Sequence, residues 1–158
     1  MNNSLSVKNV IYSPEFVSRL IHRFISGACK FNDRGLKFEL VYFLLPIVMN
    51  DSLRLLLKKV NVNSSFENII INQENKSELI FMDEYIFNTK EVTNKGLIYL
   101  NSYIDVAINA YISVDDTIDF KSDSSILMDY YRASYYLGHM LAKEDYKNLY
   151  LKLGVTNI

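Results

Sequence analysis

The stretch "NKGLIYLNSYIDVAINAYISVDDTIDFKS", residues 94–122, decides how this chain is read. Its first part has apolar residues at helical spacing, and Thr93 just before it is a capping residue, which predicts a helix to about Asn109. The period then changes. "AYISVDDTIDFKS" (110–122) alternates apolar and polar on both sides of Asp115-Asp116, the pattern of a β-hairpin turning at the two aspartates.

Upstream, "SSFE" (64–67) fits a capping box, with Ser64 as cap and Glu67 three residues on. A helix from there reaches about Phe87, very polar across "NQENKSE" (72–78), before "TKEVTNKG" (89–96) breaks it. Helix, turn, helix and hairpin in that order read as a winged-helix-like unit over about 64–121, the alternative being a helical domain with a β-hairpin flap.

Helices are expected on both sides. "YSPEF" opens one, with Ser13 as cap, Pro14 in the first turn and Glu15 at the positive end. It buries Phe16, Val17, Leu20, Ile21, Phe24 and Ile25, shows Arg19, His22 and Arg23, and ends near Gly27. "LKFELVYFLLPIVM" (36–49) is apolar all round and reads as a buried helix, kinked or ended near Pro46, or as a buried strand pair. A short helix capped at Asn50 or Asp51 shows Arg54, Lys58 and Lys59.

Beyond the hairpin, a helix capped near Asp123 or Ser124 carries small residues at Ser134, Gly138 and Ala142, a spacing that lets two helices approach closely. Ile126, Leu127, Tyr130, Tyr131, Leu137 and Leu141 broaden its apolar side, leaving Tyr131 and Tyr135 for a partner. Asp145 caps a last helix that Gly154 ends. The expected fold is mainly α with a small β-hairpin (α+β): one domain over 1–158, with a helical part at about 13–60, the winged-helix-like unit, and C-terminal helices at about 124–154.

Composition bounds the function. The formal net charge is −1 with 22% charged residues, whereas a protein that grips nucleic acid unaided carries a basic excess. The helix over 94–109 offers one cation, Lys95, and shows Tyr99, Ser102 and Tyr103, while the hairpin tip bears carboxylates. Such a surface suits a protein neighbour; the alternative is that the tyrosines are half-buried core. Cations gather instead on two helix faces, Arg19 and Arg23 on one and Arg54, Lys58 and Lys59 on the other, which form a patch suited to nucleic acid or an acidic partner if the faces are adjacent.

No catalytic constellation emerges. His22 reads as solvated, His139 as a satisfied core or boundary residue, and Cys29 as a structural thiol beside Lys30. The five glycines are scattered, and no Cys/His cluster has zinc spacing. Neither a metal nor a cofactor is expected. One cysteine excludes an internal disulfide and, with no signal peptide and no membrane-length apolar run, points to a cytoplasmic protein.

Four stretches resemble one family: "SPEFVSRLIHRFISGA" (13–28), "GLKFELVYFLLPIVMNDSLRLLL" (35–57), "VTNKGLIYLNSYIDVAI" (92–108) and "ASYYLGHMLAKEDYKNLYLKLGV" (133–155). Their order, spacing and anchors (Arg23, Gly35, Leu45-Pro46, Thr93, Gly138 and Leu153-Gly154-Val155) resemble the middle component of bacterial three-component ABC ATPase systems, Lamassu-type defence included. The likeness covers about 11–60 and 89–158, and 61–88 only by length and helical character. Asp51-Ser52 replaces a more basic, proline-containing turn, and Tyr146 stands where a proline often opens the last helix.

The resemblance implies a non-enzymatic adaptor that sits near the heads of an SMC/Rad50-like ABC ATPase. It would tether an effector, often a nuclease, and meet DNA only within that complex. No functional residue is carried over. From the residues themselves, Tyr99, Tyr103, Tyr131 and Tyr135 are the expected contacts. A stand-alone winged-helix DNA-binding regulator is the competing expectation.

Overall fold

The computed structural model describes residues 10–72 and 76–156. The hub is helix α1 (Pro14–Phe31), in which Val17, Leu20, Ile21, Phe24, Ile25 and Ala28 are fully buried. Ser13 caps it by accepting the Phe16 amide hydrogen at 3.3 Å. The helix does not end at Gly27. It runs on to Phe31, because Gly27 is a contact point for a neighbouring helix rather than a breaker.

The apolar run after Gly35 is divided. It forms β1 (Leu36–Lys37), a 3₁₀ segment (Phe38–Phe43) and helix α2 (Leu44–Val48). Pro46 ends nothing. It lies in the first turn of α2, where a missing N–H leaves no helical bond unmade. Helix α3 (Asp51–Leu56) follows, with Asn50 accepting the Leu53 amide hydrogen as its cap.

The region expected to hold the helix-turn-helix is rearranged. Ser65, not Ser64, accepts from Asn68, and a π-helical turn spans Glu67–Ile71. Ser64 accepts from Asn61, and Glu67 pairs with Lys152 at 2.7 Å instead of closing a capping box. Part of "NQENKSE" lies outside the described residues. Beyond a short α4 (Ser77–Ile80) comes one continuous helix, α5 (Met82–Asn101).

The expected break at 89–96 is therefore absent. Thr93 is buried inside α5 and donates its hydroxyl to the Thr89 carbonyl at 3.1 Å, which satisfies it without a cap. Gly96 is where α5 crosses α1: a Cβ there would sit 2.4 Å from Val17 Cγ1. Packing has overridden both local breaker signals.

α5 stops at Asn101, earlier than expected, and the chain enters a three-stranded antiparallel sheet in the order β1-β3-β2. β2 (Val106–Ile108) pairs with β3 (Tyr111–Val114), Val106 opposite Val114, and β1 adds Leu36 opposite Ile112. The hairpin turns at Asn109-Ala110, not at Asp115-Asp116. The alternation over 111–114 is genuine, with Ile112 and Val114 buried, but its partner strand precedes it. After Val114 the chain leaves the sheet and is held on α1 instead.

Helix α6 (Ser125–Leu141), capped by Ser124, and helix α7 (Tyr146–Leu153), capped by Asp145, close the fold. Gly154 ends α7 in the left-handed conformation at φ 65°. α6 lies along α1 at very close range. A Cβ on Gly138 would fall 1.8 Å from the Phe24 carbonyl oxygen, and one on Gly27 would fall 1.9 Å from that of Tyr135. Two glycines on facing helices each press on the other's backbone. Ser134, one turn before Gly138, is buried and donates to the Tyr130 carbonyl, so the small-residue stripe packs as expected. Ile126, expected on the apolar side, is 70% exposed, while the adjacent Leu127 packs against the core.

Candidate functional site

One face of α1 carries Ser18, His22 and Ser26 at four-residue spacing, and all three are buried. Each binds the chain between α5 and α6. Ser18 Oγ lies 3.1 Å from the Tyr103 hydroxyl, His22 Nε2 donates to the Asp116 carbonyl at 2.6 Å, and Ser26 Oγ accepts from the Ile118 amide at 3.1 Å. This polar seam fastens 103–118 to the hub. His22 is thus not the solvated residue expected from its charged neighbours. The seam's repeat (i, i+4, i+8) was the available signal, since those positions share one helix face.

The seam also shapes a groove of about 580 Å³. Its floor is Tyr131 of α6, only 3% exposed. Arg19 and Arg23 of α1 form one wall, and Tyr99, Ser102 and Tyr103 of α5 and its C-terminal turn form the other. Ile118 and His22 close one end. Tyr99 and Tyr103 are 41% and 50% exposed and pack edge to face, with centroids 5.9 Å apart.

The two arginines differ. Arg19 pairs with Glu15 at 2.5 Å, and its pKa is held above the ordinary value, chiefly by a hydrogen bond with Tyr131. Arg23 lies flat on the Tyr131 ring, 3.5 Å from its centroid, and donates through Nη1 to the Arg19 carbonyl. Its Nε is sealed from solvent with no hydrogen-bond partner, and no carboxylate lies within ion-pair distance among the described residues. Burial lowers its pKa. A half-buried guanidinium without a counter-ion is a costly arrangement unless something supplies the missing acceptor.

The other expected residues lie elsewhere. Tyr135 packs edge to face with Phe120 and Tyr136 and lines a second cleft of about 530 Å³ with Cys29, Lys30, Asp33, Asp115 and Asp119. Burial pushes the Cys29 thiol up, away from reactivity. Arg54 stacks on Tyr130, donates to the Val48 carbonyl and pairs with Asp51. Lys58 pairs with Asp129 at 3.3 Å, and Lys59 is exposed. The Tyr130-Tyr131 pair stands between the two basic groups, a guanidinium stacked on each ring. The five cations therefore do not join into one free patch. His139 is satisfied at the boundary, its ring nitrogens 3.3 Å and 3.2 Å from the Gly27 and Val62 carbonyls.

Among the described residues, no three His, Cys, Asp or Glu side chains are placed to hold a metal, and no single helix is long and apolar enough to cross a membrane. What the geometry offers is a shaped, aromatic, cationic surface on a rigid frame. The model of one family, described as "ABC-three component (ABC-3C) system Middle Component 3", matches residues 1–157. The chain belongs to this family. No curated protein matches, and no solved structure does. As an ABC-3C middle component, the chain is an accessory subunit of a multi-component ABC system, and its partners are the other components. In this middle component, α1, α5 and α6 form the frame that carries the groove.

Proposed function

We propose that this middle component is a non-enzymatic adaptor. It links an SMC/Rad50-like ABC ATPase to an effector, a nuclease, in Lamassu-type defence of the bacterial cytoplasm against phage or plasmid DNA. The observation that carries the reading is the groove: exposed Tyr99 and Tyr103 face Arg19 and Arg23 on a frame of closely packed helices. Tyr and Arg are the residue types that anchor protein interfaces. Family membership supplies the kind of partner.

The mechanism needs binding energy alone. The adaptor holds the effector while the ATPase is in one state and releases it in the other. Its affinity for the two states need differ by only ~1–3 kcal/mol to switch occupancy usefully. DNA enters through the assembled complex, because the segment 115–119 beside the groove carries Asp115, Asp116 and Asp119.

The test is co-expression with the ABC ATPase and nuclease encoded beside this chain. The adaptor is expected to co-purify with the ATPase and to bind a duplex oligonucleotide weakly when alone. Tight, steeply salt-dependent duplex binding by the isolated chain, without ATPase association, would favour a stand-alone DNA-binding regulator and overturn the reading.

A further inference from the structure

We infer that the groove between α1 and α5 is a receptor for one carboxylate-bearing segment of a partner protein, with Arg23 as the residue that reads the acid. The inference rests on the adaptor reading for the existence of a partner. Its chemistry comes from the site.

Three features set the occupant. First, Arg23 is held in place but has no carboxylate at ion-pair distance among the described residues: its guanidinium carbon lies 3.5 Å from the Tyr131 ring centroid, Nη1 is spent on the Arg19 carbonyl and Nε is sealed from solvent, which leaves Nη2 as the donor for an acid from outside. A charge-assisted hydrogen bond from a guanidinium already held in place is what a carboxylate oxygen completes. Second, Arg19 on the same wall is already paired with Glu15, which leaves Arg23 as the cation of that wall without a carboxylate. Third, the opposite wall is tyrosine, on which an apolar or aromatic side chain next to the acid would rest.

The same features disfavour a nucleic acid. Glu15 lines the groove and Asp119 acts electrostatically on Arg23. Asp116 is tied to the rim through His22. A single carboxylate can reach Arg23 while keeping clear of these groups. A backbone with a charge at every nucleotide cannot.

The experiment uses overlapping 15-residue peptides that cover the ATPase and effector sequences, probed with the full-length chain. Binding peptides are expected to contain an Asp or Glu beside an apolar residue and to lose binding when that acid becomes Asn or Gln. Arg23→Gln should weaken the best peptide at least about 30-fold, and Arg23→Lys should restore only part of it. Arg19→Gln and Tyr99→Ser alter exposed side chains and should each weaken it several-fold with the fold intact, so they decide the matter if Arg23→Gln unfolds.

Binders without an acid, or wild-type affinity in Arg19→Gln, Tyr99→Ser and a folded Arg23→Gln, would overturn the proposal. So would single-stranded DNA competing for the groove in an Arg23-dependent way. Normal co-purification of a folded Arg23→Gln chain with both the ATPase and the effector would sink this inference and leave the adaptor reading standing. Failure of the wild-type chain to co-purify would sink the adaptor reading instead.

Discussion

Replacing Gly138 by alanine tests the packing on which the groove is built. Alanine in the middle of an exposed helix stabilises it over glycine by about 1 kcal/mol, so a loosely packed α6 would gain from the change. The structure requires the opposite sign. The new Cβ would lie 1.8 Å from the Phe24 carbonyl oxygen and 2.7 Å from its carbon, both backbone atoms that no rotamer change can move. Reaching an ordinary contact distance means parting α1 and α6 by roughly 1.5 Å along their buried seam.

Over-packing of this kind costs ~1–3 kcal/mol, and separation would also open voids beside Leu137 and Phe24, both fully buried, at a further ~1 kcal/mol. A net loss of about 1–3 kcal/mol is expected after the helical gain of about 1 kcal/mol is subtracted. With a urea m-value near 2 kcal/mol/M, the unfolding midpoint should fall by about 0.5–1.5 M, and Tm should drop by roughly 2–12 °C. Equilibrium urea unfolding followed by far-UV circular dichroism measures this directly. A midpoint equal to or above that of the wild type would refute the close contact and, with it, the rigid frame.

Gly154→Ala, where φ is 65° and no atom lies within 4 Å of a Cβ, should cost only about 1 kcal/mol, from backbone conformation alone, by the same urea measurement. Ser26→Ala should speed hydrogen exchange at the Ile118 amide, whose acceptor it removes, while global stability falls by no more than about 1 kcal/mol. Glu144, whose pKa is raised by burial and then by Glu67, binds protons more tightly folded than unfolded. Its penalty is therefore full above the folded pKa and vanishes below the unfolded one, so Glu144→Gln should raise Tm at pH 7 and leave it unchanged below about pH 4. Cys29, with its thiol pushed up by burial, should react with iodoacetamide at pH 8 more slowly than free cysteine does.

The sequence by itself determined what depends on neighbours along the chain. The caps at Ser13 and Asp145 and the stop at Gly154 are local hydrogen bonds and backbone preferences that stand where the sequence puts them, and the structure takes Asn50 from the pair Asn50/Asp51 and Ser124 from the pair Asp123/Ser124. The mainly helical class with a small β-hairpin was legible for the same reason, as was the run of small residues on α6, whereas the third strand, β1, was not. Of the groove, the sequence offered Arg19, Arg23, Tyr99, Tyr103 and Tyr131 as separate surface features.

Tertiary structure decided the rest. Thr93, Gly96 and Gly27 carry breaker or capping character, yet each lies within a helix, because burial against another helix outweighs propensities of about 1 kcal/mol or less. The hairpin moved to Asn109-Ala110 because His22 and Ser26, some 90 residues earlier in the chain, hold 116–118 on α1. That seam also brings Arg23, Tyr131 and Tyr103 onto one groove, an arrangement of three distant segments that no periodicity encodes.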